Sequence, residues 1–329
     1  MTKLSLLDLL PVVQGGSIGQ ALANAADIAA HAESLGFARY WVAEHHGMAG
    51  VAGGATSVVL AHVGAATKTI RIGAGGIMLP NHAPLQIAEQ WGTLDALYPG
   101  RIDLGLGRAP GSDGRVAQAM RRGLASDEQQ FPRDVVELIA YFDGDPRVIT
   151  ATPGAGADVD IWILGSSLFG AQLAAMLGVK FAFASHFAPD ALMQALDVYR
   201  RGFQPSERLA APYCAAAFNV FAANTREEAA LMATSMQQSF VALRTGNPGR
   251  MPPPMEGYLD TLPDQARAML AHVMQYSAIG TGEDVARGLE TFLAATGVDE
   301  VIVAASIYDH DARKHSLTLA AEAFAGVAA

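Results

Sequence analysis

Short apolar runs alternate with stretches in which apolar residues return every three or four positions, and the alternation continues along most of the chain. The runs at 4–10, 40–43, 70–77, 102–107, 161–164, 179–184, 213–222 and 298–304 predict eight strands. Between the first two, Ile18, Leu22, Ala25, Ala29 and Ala32 recur at helical spacing, and Gly36 follows as a stop. The same pattern predicts helices over 55–66, 84–97 and about 134–142, around 171–177, and over 189–201. Two more open at Thr225, where Thr225-Arg226-Glu227-Glu228 fits a capping box, and at Thr281-Gly282-Glu283-Asp284. Eight strand–helix units in 329 residues predict an α/β fold, a (β/α)8 TIM barrel occupying 1–329 as a single domain.

Two stretches break the repeat. Residues 109–128 are polar, glycine-containing and arginine-rich, and read as a long loop. Residues 244–264 contain Asn247-Pro248-Gly249 and Met251-Pro252-Pro253-Pro254. We expect an insertion there, after the seventh strand's helix, acting as a mobile lid. A linker between two domains is the alternative, disfavoured because the barrel needs the strand beyond it.

In such a barrel the carboxyl ends of the strands converge on one rim, which is where chemistry is done. The second run stops at Glu44-His45-His46, a carboxylate beside two imidazoles suited to proton transfer near neutral pH. Adjacent histidines do not face one way as metal ligands do, and His62 and His82 have no evident place beside them, so no metal is assigned. A plain hydrogen-bonded network at the strand end competes with the proton role, most strongly for His46. The third run ends in Gly75-Gly76, which lets a flat ligand approach the backbone, or simply closes the strand with a bulge. The fourth ends at Gly107-Arg108, a permanent cation suited to a phosphate or to a surface ion pair. After the fifth, Gly165-Ser166-Ser167-Leu168-Phe169-Gly170 opens a helix and offers backbone N–H groups and hydroxyls to an anion, or an ordinary serine cap. Arg108 and this turn lie on neighbouring strands, which favours one shared phosphate. His186 closes the sixth run and, with His46 and Met78, is a candidate to meet a substrate; Phe169 and Phe187 are apolar candidates that core packing explains as well.

Composition narrows the partners. Half of the chain (51%) is hydrophobic, with alanine prominent, which suits tight helix packing, and no run is long enough to span a membrane. A formal net charge of -10 disfavours nucleic acid and anionic membranes. The one cysteine, Cys214, allows neither an intramolecular disulfide nor a thiolate metal cluster, and its apolar context reads as a buried, inert thiol. The amino terminus lacks the layout of a signal peptide, so the cytoplasm is the expected location.

Together, Ala43-Glu44-His45-His46, the run from Gly73 through Gly75-Gly76-Ile77-Met78-Leu79-Pro80-Asn81-His82 to Pro84, and Gly100-Arg101-Ile102-Asp103-Leu104-Gly105-Leu106-Gly107-Arg108 resemble the bacterial luciferase-like flavin monooxygenases. The similarity is specific over 41–111 and 165–178 and looser in the insertion and the last third. The resemblance implies FMN at the rim of the barrel, His45 assisting the oxygen chemistry and Glu44 supporting the flavin pocket. It further implies a cis peptide joining Gly75 and Gly76 under the ring. It places Gly107, Arg108, Ser166, Ser167 and Gly170 around the phosphate. Ser166 stands where luciferase itself has an acidic residue; a contact through backbone N–H survives that change. The expected activity is a monooxygenase that takes reduced FMN as co-substrate and oxygenates a small, apolar substrate. A separate flavin reductase would supply it, with NAD(P)H acting indirectly, and a homodimer is expected by analogy. Two other readings stay open: a deazaflavin-dependent hydride-transfer enzyme, and a barrel that binds flavin without turnover.

Overall fold

The computed structural model describes residues 2–109, 116, 119–120 and 130–327. The expected loop at 109–128 therefore lies almost entirely outside the described residues.

Nine parallel strands form one sheet: β1 (Lys3–Asp8), β2 (Arg39–Val42), β3 (Arg71–Met78), β4 (Ile102–Gly107), β5 (Val159–Gly165), β6 (Lys180–Phe183), β7 (Cys214–Ala222), β8 (Ser277–Gly280) and β9 (Glu300–Ala304). Each of β1 to β7 pairs with the next, and β9 closes the ring between β7 and β1. The result is the TIM barrel expected, with helices between strands. The remaining strand, β8, is the element that sequence reading missed. It is four residues long and pairs only with the last four residues of β7, Asn219 to Ala222. Ser-Ala-Ile-Gly carries no alternation that would mark it.

Strand residues alternate between two cores. Tyr40, Val42, Ile72, Ala74, Ile161, Ile163, Val301 and Val303 point outward into the layer packed against the helices. Leu7, Trp41, Ala43, Trp162, Ala182, Ala215, Ala217 and Ile302 fill the barrel interior. Trp41 meets Trp162 edge-on at 5.0 Å, and Trp162 meets Tyr213 likewise at 5.6 Å.

Below that aromatic layer the amino end is closed by charge. The guanidinium of Arg39, 3% exposed, donates to Asp103, Asp160 and Glu300. Arg71 donates to Asp103 at 2.7 Å and Lys180 to Asp160 at 2.6 Å. The hydroxyls of Ser5 and Tyr213 donate to Glu300, and the Trp41 indole donates to Asp103. Every strand of the closed ring supplies a member from near its start, Tyr213 lying one residue before β7.

The segment at 244–264, where a lid was expected, is largely exposed and is tied down at Met251. Met251 exchanges backbone hydrogen bonds with Val12 and Gln14 in the loop after β1. The Arg250 guanidinium donates to the Gly16 carbonyl, Gln238 to Pro253 O, and Met255 N–H to the Thr234 hydroxyl. Cys214 is 1% exposed and burial pushes its thiol up to about 11, as an inert core residue requires.

Candidate functional site

The chemistry-bearing residues lie along an arc of the carboxyl rim from β2 to β6. Glu44 follows β2 and is 1% exposed. Its Oε1 lies 2.6 Å from His46 Nε2 and 2.8 Å from His82 Nε2, and its Oε2 accepts from Met78 N–H at 3.0 Å. Burial alone would raise the carboxyl pKa; the hydrogen bonds from His46, His82 and Met78 override it and hold the group at about 2. An ionised carboxylate only accepts, so both imidazoles donate through Nε2. The three have metal-type donors within 4.8 Å of one another. At these separations both imidazoles bond directly to Glu44, and we read the three as a hydrogen-bonded brace.

His82 is the member that sequence reasoning passed over. It sits just beyond the short 3-10 helix Leu79–Asn81, and its ring reaches back to a residue 38 positions earlier. His46 spends the same nitrogen on Glu44, which is the strand-end network weighed above.

His45 points elsewhere. Its Nδ1 is buried with no hydrogen-bond partner. Burial lowers the pKa of the ring; Glu44 pulls it up and His46 pushes it down. His45 is therefore a neutral imidazole at pH 7 with one nitrogen free to exchange a proton.

Gly75 and Gly76 are joined by a cis peptide, as expected from the resemblance. The register between β3 and β4 shifts there. A Cβ on Gly75 would lie 2.9 Å from both Leu7 Cδ1 and Trp41 Cε3; one on Gly76 would lie 2.7 Å from the Gly105 carbonyl. The pair thus rests directly on the aromatic layer, and Glu44 N–H reaches the Gly76 carbonyl at 3.4 Å. On the neighbouring strand Gly107 pairs with Met78, whose sulfur covers it.

Arg108 follows β4, and its guanidinium lies over the Phe169 ring at 4.4 Å. Phe169 belongs to the first turn of the helix Leu168–Leu177, so the cation sits beside that helix's amino end. Ser167 is its N-cap, yet the hydroxyl makes no capping bond, and Ser166 and Ser167 are both exposed. Gly165 and Gly170 come together closely enough to seat the turn against the strand end. First-turn N–H groups, two hydroxyls and a guanidinium therefore share one corner of the rim.

His186 lies past β6. Its Nδ1 is also buried without a partner, and burial, reinforced by repulsion from His45, pushes its pKa to about 4. The structure thus brings Glu44, Gly75, Gly76, Met78 and His46 into one contact set. It places Gly107 against Met78 and gathers Arg108, Ser166, Ser167 and Gly170 at the adjoining corner. His186 comes within electrostatic reach of His45.

These groups gather on the carboxyl rim of a TIM barrel, the end where enzymes of the α/β-barrel class do their chemistry. The chain belongs to the luciferase-like monooxygenase family, whose profile matches residues 5–300. A "Luciferase-like monooxygenase" of Escherichia coli (strain K12) is 49% identical over 318 residues, covering 96% of this chain and 95% of that one. An N-acetyl-S-alkylcysteine monooxygenase of Bacillus subtilis (strain 168) is 32% identical over 317 residues, covering 92% of each chain. Among solved structures, apo-MsnO8 superposes with a TM-score of 0.88 at 31% identity over 99% of both chains. Two more distant structures share the fold. The oxygenating constituent of 3,6-diketocamphane monooxygenase from Pseudomonas putida, in complex with FMN, has a TM-score of 0.72 at 20% identity over 99% of this chain and 98% of that one. An F420-dependent secondary alcohol dehydrogenase has a TM-score of 0.67 at 16% identity over 98% of each. No helix among the described residues is long and apolar enough to cross a membrane.

Proposed function

We propose that this protein is a flavin-dependent monooxygenase that takes reduced FMN and O2 and oxygenates a small, apolar organic molecule. The observation that carries the reading is the arrangement of three adjacent strand ends. The bare Gly75–Gly76 backbone lies on β3, Arg108 follows β4, and the serine turn after β5 lies beside Arg108. A flat ring joined by a short linker to a phosphate matches that sequence of surfaces. The names of the family and of the Bacillus subtilis monooxygenase support the same chemistry.

Bound in its reduced form, FMN would supply the electrons that activate O2. The residues of this chain do the rest. Gly75 and Gly76 would lie against the ring with no side chain between. The N–H groups from Leu168 onward, the hydroxyls of Ser166 and Ser167 and the guanidinium of Arg108 would hold the phosphate, with Gly107 and Gly170 keeping the approach open. Glu44, braced by His46 and His82, would fix the loop after β2 against β3. His45 would hold or accept a proton at Nδ1, the atom left without a partner. The apolar neighbours Met78 and Phe169 would help keep water away from that exchange. We assign the supply of reduced FMN to a separate flavin reductase that draws on NAD(P)H, and a homodimer to the assembled enzyme.

The test is anaerobic titration of the protein with reduced FMN, followed by admission of oxygen. Oxygen uptake and a transient absorbance distinct from both reduced and oxidised FMN are expected. Hydride transfer from a reduced deazaflavin without oxygen uptake would replace this reading by the dehydrogenase one. FMN binding with no turnover, unchanged in His45→Ala, would reduce the protein to a flavin-holding barrel.

A further inference from the structure

We propose that Trp41, Trp162 and Tyr213 form an electron-transfer relay that drains a light-excited flavin, carrying the oxidising equivalent from beneath Gly75 through the barrel interior to Tyr213 and its proton acceptor Glu300 at the amino end. The inference rests on the flavin reading above and goes beyond it, since oxygenation uses none of these rings. The interior cluster holds three aromatic rings among alanine, leucine and isoleucine side chains, and the three form an unbroken series. A Cβ on Gly75 would lie 2.9 Å from Trp41 Cε3, so Trp41 is the first ring beneath the glycine pair. Trp41 meets Trp162 edge-on at 5.0 Å, and Trp162 meets Tyr213 at 5.6 Å, both within the range of direct ring contact. The Tyr213 hydroxyl donates to Glu300 Oε2 at 2.7 Å.

The polar partners differ along the series, and the differences give it a direction. The Trp41 indole donates to Asp103 at 3.0 Å, and a carboxylate beside the ring eases the loss of an electron. Asp103 also holds Arg39 and Arg71, which leaves it a poor base for the indole proton. Trp162 is 0% exposed, its Nε1 has no partner, and Arg39 and Lys180 stand over its ring at 4.9 and 5.2 Å. The two cations oppose a lasting positive charge there, and the N–H has no acceptor to which it could shed a proton. Trp162 therefore passes the charge on and does not keep it. Tyr213 keeps it. A phenol that has lost an electron is a strong acid, and Glu300 takes its proton. The neutral radical left behind is indifferent to Lys180, 4.9 Å from that ring. Tyr213 is half-buried, so the relay ends at the edge of the protein. In balance, one electron leaves Trp41 for the light-excited ring, one moves from Trp162 to Trp41 and one from Tyr213 to Trp162, while the Tyr213 proton moves to Glu300. Return of the electron along the same rings and of the proton from Glu300 restores every group, and the absorbed light leaves as heat.

The experiment loads the protein with oxidised FMN and excites it with blue light. FMN fluorescence should be quenched, and freezing under illumination should trap a tyrosyl radical, seen by electron paramagnetic resonance and formed more slowly in heavy water. Trp41→Phe should lengthen the fluorescence lifetime several-fold. Trp162→Phe should keep the short lifetime and lose the tyrosyl signal, and Tyr213→Phe should leave a tryptophanyl signal in its place. A lifetime unmoved by Trp41→Phe, or a tyrosyl signal that survives Tyr213→Phe, overturns the proposal. A second arm needs no flavin. An ultraviolet flash on the flavin-free protein makes tryptophanyl radicals, part of which should convert to tyrosyl at a rate independent of protein concentration, and not in Tyr213→Phe. No conversion, or conversion undiminished in that variant, also overturns the proposal. Because this arm involves no FMN, a broken relay is told apart from a flavin that sits elsewhere.

Discussion

At the amino end of the barrel six charged side chains, Arg39, Arg71, Lys180, Asp103, Asp160 and Glu300, neutralise one another. The Trp41 indole and the hydroxyls of Ser5 and Tyr213 take up further acceptor positions. At the carboxyl end of the same strands His45 and His186 keep buried nitrogens without partners, and two serine hydroxyls stand exposed beside a helix start. At the amino end the charged groups are spent on one another, although the Trp162 indole N–H in the adjoining aromatic layer has no partner. The other end leaves unpartnered nitrogens and exposed hydroxyls together on one rim. The difference separates stability from function within one ring of strands, and it can be broken from either side.

The largest effect belongs to the plug. Arg39→Met leaves the buried Glu300 without its cation and Asp103 with Arg71 alone, and should cost about 3–5 kcal/mol in urea unfolding. If the midpoint hardly moves, the ionic closure is not what holds that end.

Glu44 comes next and links stability to pH. Its carboxyl drops from the ordinary 4.5 to about 2 on folding, so the fold binds this proton less tightly than the unfolded chain does. The stabilisation is complete above about pH 4.5 and disappears as pH falls through 2, an effect of up to about 3 kcal/mol. Unfolding midpoints between pH 2 and 5 should therefore fall less steeply in Glu44→Gln than in the wild type. Parallel curves would show that the brace with His46 and His82 does not form.

Arg108→Ala should weaken FMN by about ten- to a hundredfold while leaving riboflavin, which lacks the phosphate, unaffected. Equal losses for both would place the guanidinium on the ring instead. The smallest change in stability is expected at His45. His45→Ala removes an unpartnered buried nitrogen together with the packing of its ring, two effects of opposite sign, and should shift the unfolding free energy by no more than about 1 kcal/mol while oxygen uptake collapses. A large destabilisation would mean that the ring holds loops and does no chemistry.

The barrel was legible because period-two strands and period-3.6 helices leave distinct traces even in an alanine-rich chain. β8 was not, since four residues of Ser-Ala-Ile-Gly owe their strand geometry to Asn219–Ala222 and not to their own pattern. Glu44-His45-His46, Gly75-Gly76 and Arg108 stood out because each is contiguous and ends an apolar run. The role of His82 did not, because its partner is 38 residues away and the contact exists only once β2 and β3 are paired. The ionic plug escaped for the same reason. Its members are scattered near the starts of strands, and only closure of the ring brings Arg39 to Asp103 and Glu300; a charged residue opening strand after strand was the available signal. The segment at 244–264 reads as a lid because prolines and glycine break periodicity; its anchoring to Val12 and Gln14 is made by backbone atoms that no side-chain pattern reveals.

The most direct measurement is a crystal structure of the protein soaked with FMN. The account predicts the ring lying against Gly75 and Gly76 beside His45, with the phosphate between Arg108 and the turn at Ser166 and Ser167. FMN seated with its phosphate away from that corner, or its ring away from the glycine pair, would contradict it.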